Sequence, residues 1–446
     1  MQIQSQKPKN NLAQNEPATG KENPTQRGVW RAGLLIAAVL QAVFLVWLFG
    51  QGRDAVVRRI CLPDTGGYVP PALYILHGTG LPPDMVRTVG YPLFLVVPFG
   101  LGGEDYGYHL VIVMQSVLNL IATLLLWKLL AALLPQIRTG VLMAAVAIFW
   151  YAGFGLALNV LTDFLFGFLL LVFIYAFLLK RGPWWLAVGA SALLAAGLTR
   201  PTLGPFLLLL PLLKIFLQRK GHYLPTASVA VYAMAIVICS GVNFALEHSR
   251  ADRCSEGIRV GSVQATLRDN GIATKSEVTQ RIAELAGRPY DQLARHEQDT
   301  FSRRVFIEYV SGQPLRYMSR LAFSAVKYMI SPVEGVVSKA VAADDEQRDA
   351  FARSAVRGIV LLLGLPIWVL ALWPGMARRL ETRDLYFFSL VMTLYFIGFG
   401  SAFAGQGERF RFPALPMLLV CFAANLDSLV GWANARFNRP RRTGGS

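Results

Sequence analysis

Apolar stretches about as long as a membrane-crossing helix recur along this chain, and no other feature limits its fold as severely. A helix needs about 20 apolar residues to cross the hydrocarbon core. About ten segments reach or approach that length, near 30–50, 109–133, 139–158, 161–179, 184–199, 202–217, 226–246, 356–374, 385–404 and 412–432. Inside a bilayer the backbone amides must pair within the protein, so a chain of this kind becomes an all-α polytopic membrane bundle. Composition agrees, with 54% of the 446 residues hydrophobic and 16% charged, far from the averages of soluble domains.

Lys and Arg fix the expected orientation. With the N-terminus in the cytoplasm, the basic short segments all fall on the inner face: the tail to Arg31, then 128–138, 180–182, 218–222, 378–383 and the last residues from 433. Short cytoplasmic loops retain positive charge, so both termini are expected inside. Residues 1–28, polar and rich in Pro, Asn and Gln, read as a disordered cytoplasmic tail, and the first helix as an uncleaved anchor. An N-terminal transmembrane module at 29–246 contains a first loop at 51–108. An extracytoplasmic segment follows at 247–354, then C-terminal transmembrane helices at 355–432 and a basic tail at 433–446. The net charge of +16 reads as topology and contact with anionic membrane lipids, and no nucleic acid is expected as a partner.

The chain has no internal repeat, Walker loop, dinucleotide fingerprint or Cys/His spacing suited to a metal, so no cofactor is expected. Its five histidines are scattered, and His77 and His109 read as interfacial or packing residues. Cys239 and Cys421 fall in apolar segments and read as packing. Cys61 and Cys254 fall outside the membrane on one side, in a compartment that permits a disulfide between them.

The chemistry concentrates on that same side. "PDTGGY" carries Asp64, "RTVGYPLFL" carries Arg87, Thr162 and Asp163 open the fourth apolar segment, "GLTRPT" carries Arg200, and "GQGERFRFPALP" carries Glu408, Arg409 and Arg411. Singly, each has an ordinary explanation: an Asp caps helices and turns, and an Arg beside a helix end reaches headgroups. Together, ionisable groups at membrane depth point to function. Guanidinium groups pair bidentately with phosphate, and a carboxylate can take a proton from an attacking hydroxyl. That combination suits an anionic lipid substrate.

These motifs resemble those of GT-C fold glycosyltransferases that use polyprenyl-phosphate sugars, the group that includes dolichyl-phosphate-mannose protein mannosyltransferases and the aminoarabinose transferase of lipid A. In that group Asp-Ser-x-x-Tyr is followed about twenty residues later by Arg-Pro-Pro-Gly-Tyr-Pro. The resemblance continues through "LTDFLFGFLLL", "GLTRPT", "FIEYVSGQPLRYMSRLAFSAVKYM" and "GERFRFPALP", in order over most of the chain. Here Thr65 stands where the group has Ser, "RTVGYP" lacks both prolines after Arg87, and Asp163 replaces Glu with a shorter reach.

The resemblance implies a GT-C-like bundle of about ten helices, with a first-loop lid and a large helical extracytoplasmic loop. It implies an inverting transfer from a polyprenyl-phosphate-linked sugar donor to an envelope lipid, glycan or protein acceptor. Asp64 and Asp163 are the expected catalytic carboxylates, Arg87, Arg200, Arg409 and Arg411 the donor-phosphate contacts, and Tyr68, Tyr91 and Glu408 the substrate contacts. A non-enzymatic carrier or flippase for a lipid-linked saccharide, and an oligosaccharide ligase or polymerase of the same fold, remain alternatives. In the large loop, 276–288 and 291–310 show helical periodicity, with Asp291 expected as an N-cap. The stretch 315–330 sets Arg316, Arg320 and Lys327 beside an apolar face and is expected to lie on the membrane.

Overall fold

The structure, a computed structural model, describes residues 24–61, 63–82, 87–179, 182–219, 226–248, 260–269, 271–321, 366–374, 380–403 and 407–437. Every regular element among them is helical. Among the described residues, six helices are long and apolar enough to cross a membrane: Gly28–Phe49, Gly90–Leu133, Thr139–Ala157, Thr162–Leu179, Thr226–Leu246 and Phe412–Arg436. Pro183–Thr199, Pro201–Leu212 and Leu385–Phe396 are apolar but shorter. Of the expected span at 356–374, only 366–374 is described, and 366–372 is helical. The expected tail at 1–28 is described only from Pro24, where helix α1 (Pro24–Phe49) already begins.

The bundle is built from α4 (Gly90–Leu133), α5 (Thr139–Ala157), α6 (Thr162–Leu179), α7 (Pro183–Thr199), a 3-10 turn (Pro201–Leu208), α8 (Leu209–Arg219), α9 (Thr226–His248), α13 (Leu380–Phe403) and α14 (Gly407–Phe437). One apolar cluster runs through it, from Leu126 and Leu130 of α4 to Phe149, Phe173, Phe206 and Leu419. Lipid tails are as apolar as these side chains, so close backbone approach does much of the work of holding such helices together. At Gly197 of α7, a Cβ would lie 2.9 Å from Cβ of Cys239 on α9.

The described part of the first loop is largely helical. It folds into α2 (Arg53–Ile60), a 3-10 turn (Pro63–Gly67) and α3 (Val69–Leu76). Prolines supply part of the reason: α3 has Pro at its first positions, where a missing N–H breaks no helical bond.

The second expected span, 109–133, lies within the longer arm of a helix that starts earlier. Helix α4 is two arms folded back on each other at Gly103, whose φ of 60° and ψ of −167° suit glycine. Arm 90–102 runs antiparallel to arm 104–133. Phe99 packs edge-on against Tyr108 at 5.1 Å, and the Tyr91 hydroxyl donates to Gln115 Oε1 at 3.3 Å. The last turn of α1 meets the long arm at His109, with Phe49 at 4.8 Å. Gln115 lies six residues further along, so the region around it is recessed by about 9 Å from that level.

Residues 260–269 and 271–321 gather around an apolar cluster of their own, built from α10 (Val260–Asp269), α11 (Lys275–Ala286), α12 (Arg295–Gly312) and the helical stretch 314–321, around Val263, Leu267, Val278, Ile282, Val305 and Tyr317. Asp291 is not an N-cap. It lies in a 3-10 turn, and α12 starts after Ala294, whose N–H donates to Glu297 Oε2 at 3.0 Å. A carboxylate three residues inside the helix does the capping instead. Of the expected interfacial helix 315–330, residues beyond 321 lie outside those described. Within it, Leu315 and Met318 are exposed while Tyr317 is buried.

Candidate functional site

The link between α5 and α6 organises one end of the bundle. Val160 is held from two sides: its N–H donates to Ile60 O at the end of α2 at 3.2 Å, and its carbonyl accepts from Thr65 Oγ1 at 3.1 Å. Thr65 follows Asp64 directly, so the backbone of that turn is fixed three residues before Asp163. The side chain of Asp64 lies outside the described ones, as do those of Glu408, Arg409 and Arg411, whose backbone forms the first turn of α14. Cys61 is half-buried, and its expected partner Cys254 lies outside the described residues.

The segment carrying Arg87 is fixed against the end of α7. Thr88 Oγ1 donates to Thr199 O at 2.6 Å. A Cβ on Gly90 would lie 2.6 Å from the backbone of Leu198 and Thr199, so only glycine fits that crossing. Arg87 then extends over Gly67, whose Cβ would lie 3.1 Å from Arg87 Cγ, and its guanidinium sits 5.4 Å from the Tyr68 ring centre. Tyr68 packs edge-on against Tyr91 at 5.2 Å. Both tyrosines are buried, at 5% and 0% exposure. Their contribution here is a floor under Arg87, not open faces for a substrate. Gln115 beneath them donates to Ala157 O and Asn159 O, both at 2.9 Å.

Asp163 and Arg200, expected to act separately, form one unit. Arg200 ends α7 in extended conformation, and its Nη2 donates to Asp163 Oδ1 at 2.5 Å. Its Nε donates to Thr162 Oγ1 at 3.0 Å, and its guanidinium lies 5.9 Å from the Phe166 ring centre. Asp163 stands in the first turn of α6, where the helix N-terminus favours a negative charge. The side chains are 1% and 11% exposed, and Asp163 Oδ2 is buried without a hydrogen-bond partner among the described residues. A carboxylate so enclosed cannot meet an acceptor hydroxyl in this arrangement; it holds an arginine in place.

No family model, curated protein or solved structure matches this chain. The site is therefore read from its own geometry. That geometry brings Arg87, Asp163 and Arg200 to one recessed end of the bundle, together with the backbone bearing Asp64. The supporting residues Thr65, Gly67, Thr88, Gly90 and Gln115 were not legible as such. Thr65, Gly67, Thr88 and Gly90 fall inside the quoted motifs without showing what they support, and Gln115 showed only as a polar side chain interrupting an apolar run.

Proposed function

We propose that this chain is an integral-membrane glycosyltransferase that moves a sugar from a polyprenyl-phosphate donor to an extracytoplasmic lipid, glycan or protein acceptor. The proposal includes a GT-C-like bundle of about ten spans in the inner membrane, with the site on the periplasmic face. One observation carries it: a nearly dry, carboxylate-held arginine stands beside a second arginine and the turn that bears Asp64. Charge is expensive at this depth unless it is used.

In the reaction, Asp64 accepts the proton of the acceptor hydroxyl. The acceptor oxygen bonds to the anomeric carbon as the bond from that carbon to the phosphate oxygen breaks. The lipid phosphate leaves with the electron pair, and the configuration inverts. Arg87, Arg200, Arg409 and Arg411 offset the charge growing on the departing phosphate, a stabilisation realised in the transition state. Asp163 and Thr162 orient Arg200 so that little reorganisation is needed.

Asp64→Asn tests this. The purified variant should bind polyprenyl-phosphate sugar and transfer it about 10²–10⁴ times more slowly. Transfer at the wild-type rate would remove Asp64 from the chemistry. Wild-type protein that moves labelled lipid across a liposome without consuming it would be a carrier instead.

A further inference from the structure

The first turn of α14 carries Glu408, Arg409 and Arg411, yet its own helix holds it weakly. Pro413 and Pro416 lie inside α14. A proline offers no N–H to the carbonyl four residues earlier, so the carbonyls of Arg409 and Phe412 lose their intrahelical donors. Contacts outside the helix therefore weigh more in where the charged turn sits.

Phe412 has the required geometry. It is 1% exposed, its ring stacks on Phe149 of α5 at 5.2 Å, and it lies 5.8 Å from Phe164 of α6. The ring fills space that two missing side chains leave open. A Cβ on Gly167 of α6 would come within 2.7 Å of Phe412 Cε1, and one on Gly153 of α5 within 3.3 Å of Cε2. Gly167 is four residues after Asp163, hence on the same helix face and about 6 Å along the axis. The slot that seats the ring thus lies one turn beneath the Asp163–Arg200 pair.

We infer that Phe412 is a positioning residue: seated in the Gly153/Gly167 slot, it sets the arginine-bearing turn of α14 over the site. This rests on the glycosyltransferase reading for its consequence, but its geometry stands apart from that reading. Polyprenyl-phosphate sugar is the probe, with donor affinity, transfer rate and thermal midpoint measured on full-length protein. Gly167→Ala should displace the ring and cut kcat/KM on the order of 10²-fold, the scale of a misplacement near 1 Å, mainly by weaker donor binding. Phe412→Leu in the Gly167→Ala background makes room for the new methyl and should recover most of the loss.

A second readout needs no donor. The distance between spin labels at Gly407→Cys and Gly66→Cys, with native cysteines replaced, should shift in Gly167→Ala and return in the double variant. An unmoved distance, or a kinetic loss that the double variant fails to recover, overturns the inference. A wild type that binds no donor while the distance shifts and reverts overturns the glycosyltransferase reading alone.

Discussion

At one end of the bundle Asp163 and Arg200 pair with 1% and 11% of their side-chain surface exposed, while at the other Arg138 and Asp427 pair with 43% and 25% exposed. The exposed pair is a clip. Asp427 of α14 accepts the N–H of Arg138, just before α5, at 2.9 Å, while the Arg138 guanidinium reaches Asp427 Oδ1 at 3.0 Å and its carbonyl at 2.6 Å. It satisfies a helix end with a carboxylate. The enclosed pair joins α6 to α7, helices already packed along their lengths, and burying two charges is a poor way to add stability. That contrast supports the proposal that the enclosed pair holds an arginine for the site, while the clip is structural.

The largest expected effect separates these two roles. Asp163→Ala leaves Arg200 uncompensated in a dry setting and should cost about 3–5 kcal/mol, whereas Asp427→Ala should cost about 0–1 kcal/mol. Thermal midpoints in detergent compare them, and equal falls would erase the distinction. Replacing both charges, as Asp163→Leu with Arg200→Met, should restore most of the stability and none of the donor binding. Recovery of both would reduce the pair to packing.

A smaller effect probes the scaffold beneath the enclosed pair. Gly90→Ala places a Cβ 2.6 Å from the backbone of Leu198 and Thr199, atoms that cannot rotate away, so α7 must move just before Arg200. Overpacking of this kind costs about 1–3 kcal/mol. Gly66, exposed and with nothing within 4 Å of an added Cβ, is the control. If Gly90→Ala matches Gly66→Ala in thermal midpoint, the crossing is looser than its geometry indicates.

What could be read from the residues alone follows the same division. Helical class and membrane character were legible because apolar length is a one-dimensional property. The clustering of Arg87, Asp163 and Arg200 at one end of the bundle was legible because topology alone brings the segment ends together. The Asp163–Arg200 pairing was not, since 37 residues separate them and each fits a separate role equally well. Nor was the fold-back at Gly103, because an apolar run before a polar "GGEDYG" reads as a loop unless the arm's partners, Gln115 and Tyr108, are known. The cap of α11 was legible in principle: Thr274 followed three residues later by Glu277 is the capping-box pattern.

That cap supplies the smallest expected effect, at an exposed helix end of the 260–321 unit. Glu277 accepts from the Thr274 N–H at 2.6 Å and from its hydroxyl at 2.9 Å, and returns Thr274 Oγ1 as acceptor for its own N–H at 3.2 Å. Those bonds, first to the backbone and then to the side chain, hold the Glu277 carboxyl below its ordinary value. Glu284 is held low as well, chiefly by Arg281 and Gln280. A carboxyl whose folded value is depressed contributes stability that is present above the unfolded value, about 4.3, and is lost as pH falls through the folded value. Amide exchange of residues 260–321 in the intact protein, corrected for intrinsic rates, should therefore stay level from pH 7 to about 5 and accelerate below about 4. Glu277→Gln should blunt that acceleration, leaving the part due to Glu284, while Thr274→Ala should weaken protection already at neutral pH by about 0.5–2 kcal/mol. Exchange that accelerates in acid equally with and without Glu277 would mean that the cap is decorative and that packing around Val278 and Ile282 alone holds the unit.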